Sequence, residues 1–80
     1  MSAAPHVLVV EDEPEIAALV ADYLRADGLR VTVLGRGDTA AAWLSGETPD
    51  LVVLDLMLPG LDGIALCRQV RQASTVPVIM

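Results

Sequence analysis

Asp50-Leu51-Val52-Val53-Leu54-Asp55 is an uninterrupted apolar run closed at each end by an aspartate. A strand with one solvated face alternates apolar and polar residues, whereas a strand covered on both faces does not. Leu51–Leu54 therefore reads as a fully buried strand of a parallel sheet, with Asp55 at its carboxyl end. Upstream, His6-Val7-Leu8-Val9-Val10 repeats the pattern and breaks into Glu11-Asp12-Glu13-Pro14. The fold turns on what connects these two strands.

From Pro14, apolar side chains recur at Ile16, Leu19, Val20, Tyr23 and Leu24, the i, i+3, i+4, i+7, i+8 stripe of an amphipathic helix. Pro14 suits a first turn, and Glu13 and Glu15 lie at the positive end of the helix dipole. Gly28 supplies the left-handed residue that ends the helix. Leu29–Leu34 places Val31 and Val33 inward, alternating with Arg30 and Thr32, and is expected to be a second strand at a sheet edge. Asp38 is the expected N-cap of a second helix through Ala40, Ala41, Ala42, Trp43 and Leu44, stopped by Gly46 and Pro49. Beyond Asp55, a turn containing Pro59, Gly60, Asp62 and Gly63 leads into a third helix. Ile64, Leu66, Cys67 and Val70 are expected to face inward there, and Val76–Met80 reads as a fourth strand.

The order βαβαβαβ predicts an α/β chain with right-handed crossovers and a doubly wound parallel sheet carrying helices on both faces. Ligands of such sheets bind outside the carboxyl ends of the strands, where the winding direction reverses. If the first and third strands are neighbours, Glu11, Asp12 and Asp55 converge there. Each has a plainer reading: Glu11 and Asp12 favour the start of the Pro14 helix, and Asp55 is a solvated loop residue. Their joint placement at the ends of two all-apolar strands favours a site. Converging carboxylates raise one another's pKa unless a hard dication joins them. Mg²⁺ suits the set, because it takes one or two carboxylates and keeps positions open for water or a phosphate oxygen.

Three blocks then carry a family resemblance: Val7-Leu8-Val9-Val10-Glu11-Asp12-Glu13, Asp50 through Leu56-Met57-Leu58-Pro59-Gly60-Leu61-Asp62-Gly63, and Val76-Pro77-Val78-Ile79-Met80. In order and spacing they resemble the receiver domain of bacterial two-component response regulators, and the likeness covers essentially the whole chain. It implies a flavodoxin-like sheet, ordered 2-1-3-4 over these residues and 2-1-3-4-5 in a complete domain. Residues 1–80 are then expected to be a partial receiver domain, cut after the fourth strand. By the same resemblance Asp55 is the phosphoacceptor, Asp12 a direct Mg²⁺ ligand together with Asp55, Met57 the donor of a backbone carbonyl, and Glu11 a ligand through water. The implied partner is a sensor histidine kinase. Two family parts are expected beyond Met80, a Thr or Ser after the fourth strand and a Lys ending the fifth, with the last helices covering the sheet.

Composition bounds the rest. The chain has 80 residues, a hydrophobic share of 54% and a formal net charge of −6. No apolar run approaches the roughly 20 residues that span a bilayer, and no secretory leader is evident, so no membrane role and a cytoplasmic location are expected. One cysteine, Cys67, excludes an internal disulfide and a cysteine-built zinc site. Five basic residues, scattered, argue against a grip on nucleic acid, so DNA is expected only through an output domain not present in this chain. Trp43 and Tyr23 read as packing residues, Cys67 as an inert thiol, and His6 receives no role. If these residues were the whole molecule, the fourth strand would be an open edge, and the chain is expected either to fold poorly alone or to associate through that edge, with a homodimer by edge pairing or segment exchange as the ordered outcome.

The chemistry expected is phosphoryl acceptance for signalling, with transcription as the output, and not enzymatic turnover. A receiver-like scaffold that binds without phosphorylation is the alternative, opposed by the intact Glu11, Asp12 and Asp55. A metal-dependent phosphohydrolase is another. Such an enzyme needs a second acid soon after its nucleophile, and Met57 is not one.

Overall fold

The computed structural model describes residues 4–55, 63–73 and 77–79. Four parallel strands, β1 (His6–Val10), β2 (Arg30–Leu34), β3 (Leu51–Leu54) and β4 (Val78–Ile79), form one sheet in the order β2-β1-β3-β4. Helices α1 (Pro14–Ala26), α2 (Gly37–Leu44) and α3 (Gly63–Ala73) connect them. The two apolar runs are the adjacent central pair: β1 is covered on both faces, whereas β3, expected to be fully buried, is so only through Val52 and Leu54, with Leu51 and Val53 half-buried on the face that α1, lying over β1 and β2, does not reach.

Leu8, Val10, Val52 and Leu54 form the main core with Ala40 of α2 and Leu66 of α3, bordered by Leu34, Trp43, Leu44, Cys67 and Val78. Val7 and Val9 point to the opposite face, because successive strand residues alternate. They are as deeply buried, and α1 runs over β1 and β2. The expected doubly wound architecture with helices on both faces is therefore present.

Helix α1 meets the sheet through its small residues. Ala17 and Ala21, four apart, are buried, while Ile16, Leu19 and Tyr23 face outward, Tyr23 at 73% exposure. Of the amphipathic stripe, only Val20 and Leu24 border the contact, which is an alanine seam, while Ile16, Leu19 and Tyr23 lie outside it. Two alanines let the helix lie close to the sheet, and the bulky residues flank the contact. Tyr23 is consequently not a packing residue. The end of α1 follows expectation: Gly28 has φ +85°, its N–H donates to the Arg25 carbonyl at 3.0 Å, and the Leu29 N–H donates to the Leu24 carbonyl at 3.1 Å. This pair of bonds is a Schellman motif with Gly28 at its left-handed position.

Three further expectations are adjusted. Helix α2 begins at Gly37 with Arg36 at the N-cap and no side-chain cap. Asp38 lies in its first turn, where it pairs with Arg36 and accepts from the Thr39 N–H at 2.8 Å. On β2, Leu34 reaches the main core while Val33 is exposed, because Thr32 and Leu34 share the face of Leu8 and Val10 in register. On α3, Leu66 and Val70 are buried and Cys67 half-buried, but Ile64 faces solvent. Trp43 packs against the core as expected. Met57, the Pro59-Gly60 turn, Asp62, Val76 and Met80 lie outside the described residues. No helix among the described residues is long and apolar enough to cross a membrane.

Candidate functional site

Two hydrogen bonds fix where the acidic residues leave the sheet. Strands β1 and β3 are paired in register up to Val10 and Leu54, so Glu11 and Asp55 emerge side by side at the carboxyl edge. The Asp55 N–H donates to the Val10 carbonyl at 2.9 Å, and the Glu11 N–H donates to the Leu34 carbonyl at 3.0 Å. Each residue is thereby tied to the neighbouring strand at its backbone, which leaves the carboxylates as the variable parts. Parallel pairing of two apolar strands is thus what converts residues 44 positions apart in the chain into neighbours.

Glu11, Asp12 and Asp55 each present a carboxylate oxygen such that all three lie within 4.8 Å of one another. Glu11 and Asp55 are half-buried and Asp12 is exposed. The Glu11 carboxylate accepts a hydrogen bond from the Glu13 N–H at 3.2 Å. Partial burial pushes the Glu11 carboxyl above its usual range, and the neighbouring Asp55 and Asp12 carboxyls push it further, against the opposing pull of the Glu13 N–H. Asp12 stands two residues past β1 and two before Pro14, the start of α1, whose N-terminal end favours negative charge. The cation that follows β2 does not relieve the cluster: Arg36 is engaged by both Asp38 oxygens at 3.0 Å.

Carboxylate oxygens from two half-buried residues and one exposed one, gathered closely and with one carboxyl raised, match the donor set of a hard divalent cation. Carboxylates repel until a positive charge joins them, and magnesium or calcium takes oxygen ligands of this kind. The residues present fit Mg²⁺. Glu11, Asp12 and Asp55, singled out in the sequence for this purpose, are brought together, and Met57 lies outside the described residues.

His6, which carried no role in the sequence, anchors the opposite end of the sheet. Its ring Nε2 lies 2.7 Å from the Thr32 hydroxyl, and its ring meets Trp43 edge-on with centroids 5.5 Å apart. The His6 backbone N–H donates to an Asp50 carboxylate oxygen at 2.7 Å, and the Asp50 backbone N–H returns a bond to the His6 carbonyl at 2.7 Å. These partners come from β2, α2 and the start of β3, so no local motif could have signalled them. The arrangement is structural and remote from the acidic edge.

Comparison with known proteins gives a single answer. The response regulator receiver domain family matches residues 7–80. The transcriptional regulatory protein BaeR of Escherichia coli is 46% identical over 76 residues, covering 95% of this chain and 32% of that protein. The BeF3-activated N-terminal receiver domain of RstA from Klebsiella pneumoniae superimposes with a TM-score of 0.86 at 45% identity, over 91% of this chain and 62% of that one. The response regulator TrrA of Thermotoga maritima, solved in complex with Mg²⁺-BeF, superimposes with a TM-score of 0.88 at 28% identity, over 95% and 67%. The chain spans about a third of the length of the curated relatives it matches.

Proposed function

The chain belongs to the response regulator receiver domain family, the phosphoacceptor modules of two-component signalling, and from that premise we propose that Asp55 receives a phosphoryl group from a sensor histidine kinase. The observation that carries the reading is the convergence of Asp55 with Glu11 and Asp12, with oxygens within 4.8 Å, at the carboxyl edge where the sheet reverses its winding.

In the proposed transfer, a carboxylate oxygen of Asp55 attacks phosphorus in line with the bond to be broken. An O–P bond forms as the N–P bond of a phosphohistidine breaks, and the departing electron pair stays on the imidazole nitrogen. Asp12 and Asp55 would hold Mg²⁺ directly, with the Met57 backbone carbonyl as a further donor and Glu11 acting through water. When bound, Mg²⁺ supplies the positive charge that lets a carboxylate meet an anionic donor and orients both groups. The strand-to-strand bond from the Asp55 N–H to the Val10 carbonyl keeps the acceptor in place. The Glu13 N–H holds the Glu11 carboxylate at the rim.

The product is a covalent aspartyl phosphate, so the chain acts as an acceptor in signalling and not as a turnover enzyme. The relatives are named as transcriptional regulatory and sensory transduction proteins, which supports a transcriptional output reached through a DNA-binding domain outside these residues. One cysteine and a net charge of −6 suit a reducing cytoplasm and leave DNA contact to that other domain. The TrrA complex with Mg²⁺-BeF supports the choice of metal.

Intact-mass spectrometry after incubation with acetyl phosphate tests the proposal. One added phosphoryl group in Mg²⁺, and none in EDTA, is expected. An unlabelled chain that still binds a kinase would favour a scaffold, and continuous phosphate release without a covalent adduct would favour a phosphohydrolase.

A further inference from the structure

No further inference is drawn: the strongest candidate, the exposed apolar patch of Ile16, Leu19 and Tyr23 on α1, is an unpartnered helix face, and nothing in the structure shows what covers it.

Discussion

Neutralising Glu11 should stabilise the metal-free chain, although it removes a residue of the proposed site. With oxygens within 4.8 Å, a pair of unit charges repels by about 0.9 kcal/mol at the dielectric constant of water and about 3.5 kcal/mol at an effective value near 20. Glu11 faces two such carboxylates and is half-buried, so Glu11→Gln is expected to raise stability by about 1–2 kcal/mol at pH 7. Gln keeps an oxygen that can accept from the Glu13 N–H, so that bond survives. For a domain of this size, each kcal/mol moves the melting temperature by about 4–8 °C. The raised Glu11 carboxyl sets the pH dependence. Its folded form holds a proton more readily than its unfolded form, so the destabilising charge is fully present above the raised range. It disappears as pH falls through that range towards the ordinary carboxylate value. The advantage of Glu11→Gln should therefore be largest at pH 7 and shrink on acidification. Mg²⁺ should narrow it too, since ligand at a hundred times its Kd stabilises the wild type by about 2.7 kcal/mol. Thermal melts followed by circular dichroism in EDTA at low ionic strength measure the effect. An unchanged or lowered melting temperature at pH 7 would mean that the carboxylates do not repel as this arrangement requires.

Asp12→Ala should weaken Mg²⁺ binding more than Met57→Ala, which leaves the backbone carbonyl in place; equal losses in calorimetric titration would contradict the assigned donors. Leu66→Ala, at a fully buried position of the main core, should cost about 2–5 kcal/mol in urea unfolding, and a cost below 1 kcal/mol would show that α3 does not pack as described. Gly28→Ala should cost about 1 kcal/mol from the positive φ alone, because an added Cβ meets nothing within 4 Å. A neutral result there would remove the left-handed cap from the account of α1.

Most of the architecture was legible because the two central strands are unbroken apolar runs, β1 buried on both faces and β3 on one. His6–Val10 and Leu51–Leu54 could be bounded to the residue, since an unbroken apolar run that ends in an acid has few other uses. Gly28 was equally clear, because the left-handed end of a helix selects for it. The inner face of α1 was not. Ile16, Leu19 and Tyr23 recur at helical spacing just as a core stripe would, yet the contact is made by Ala17 and Ala21, whose smallness is what allows close approach. Ile64 on α3 has the same helical spacing and is likewise exposed. Asp38 looked like a cap from its residue type, yet its charge is taken up by Arg36 two residues earlier. The acidic cluster was readable as three residues at two strand ends, but only the parallel pairing of β1 with β3 shows them meeting. The His6 network joins residues 26 to 44 positions apart, which no periodicity or local spacing reports.

The most direct test is to locate the phosphoryl group. After labelling with acetyl phosphate and Mg²⁺, borohydride reduction converts an aspartyl phosphate to homoserine, which peptide mass spectrometry assigns to a single position. Homoserine at residue 55, absent from Asp55→Asn, is the expected result. Reduction mapped to Asp12 or Glu11, or undiminished labelling of Asp55→Asn, would contradict the assignment of Asp55 as acceptor.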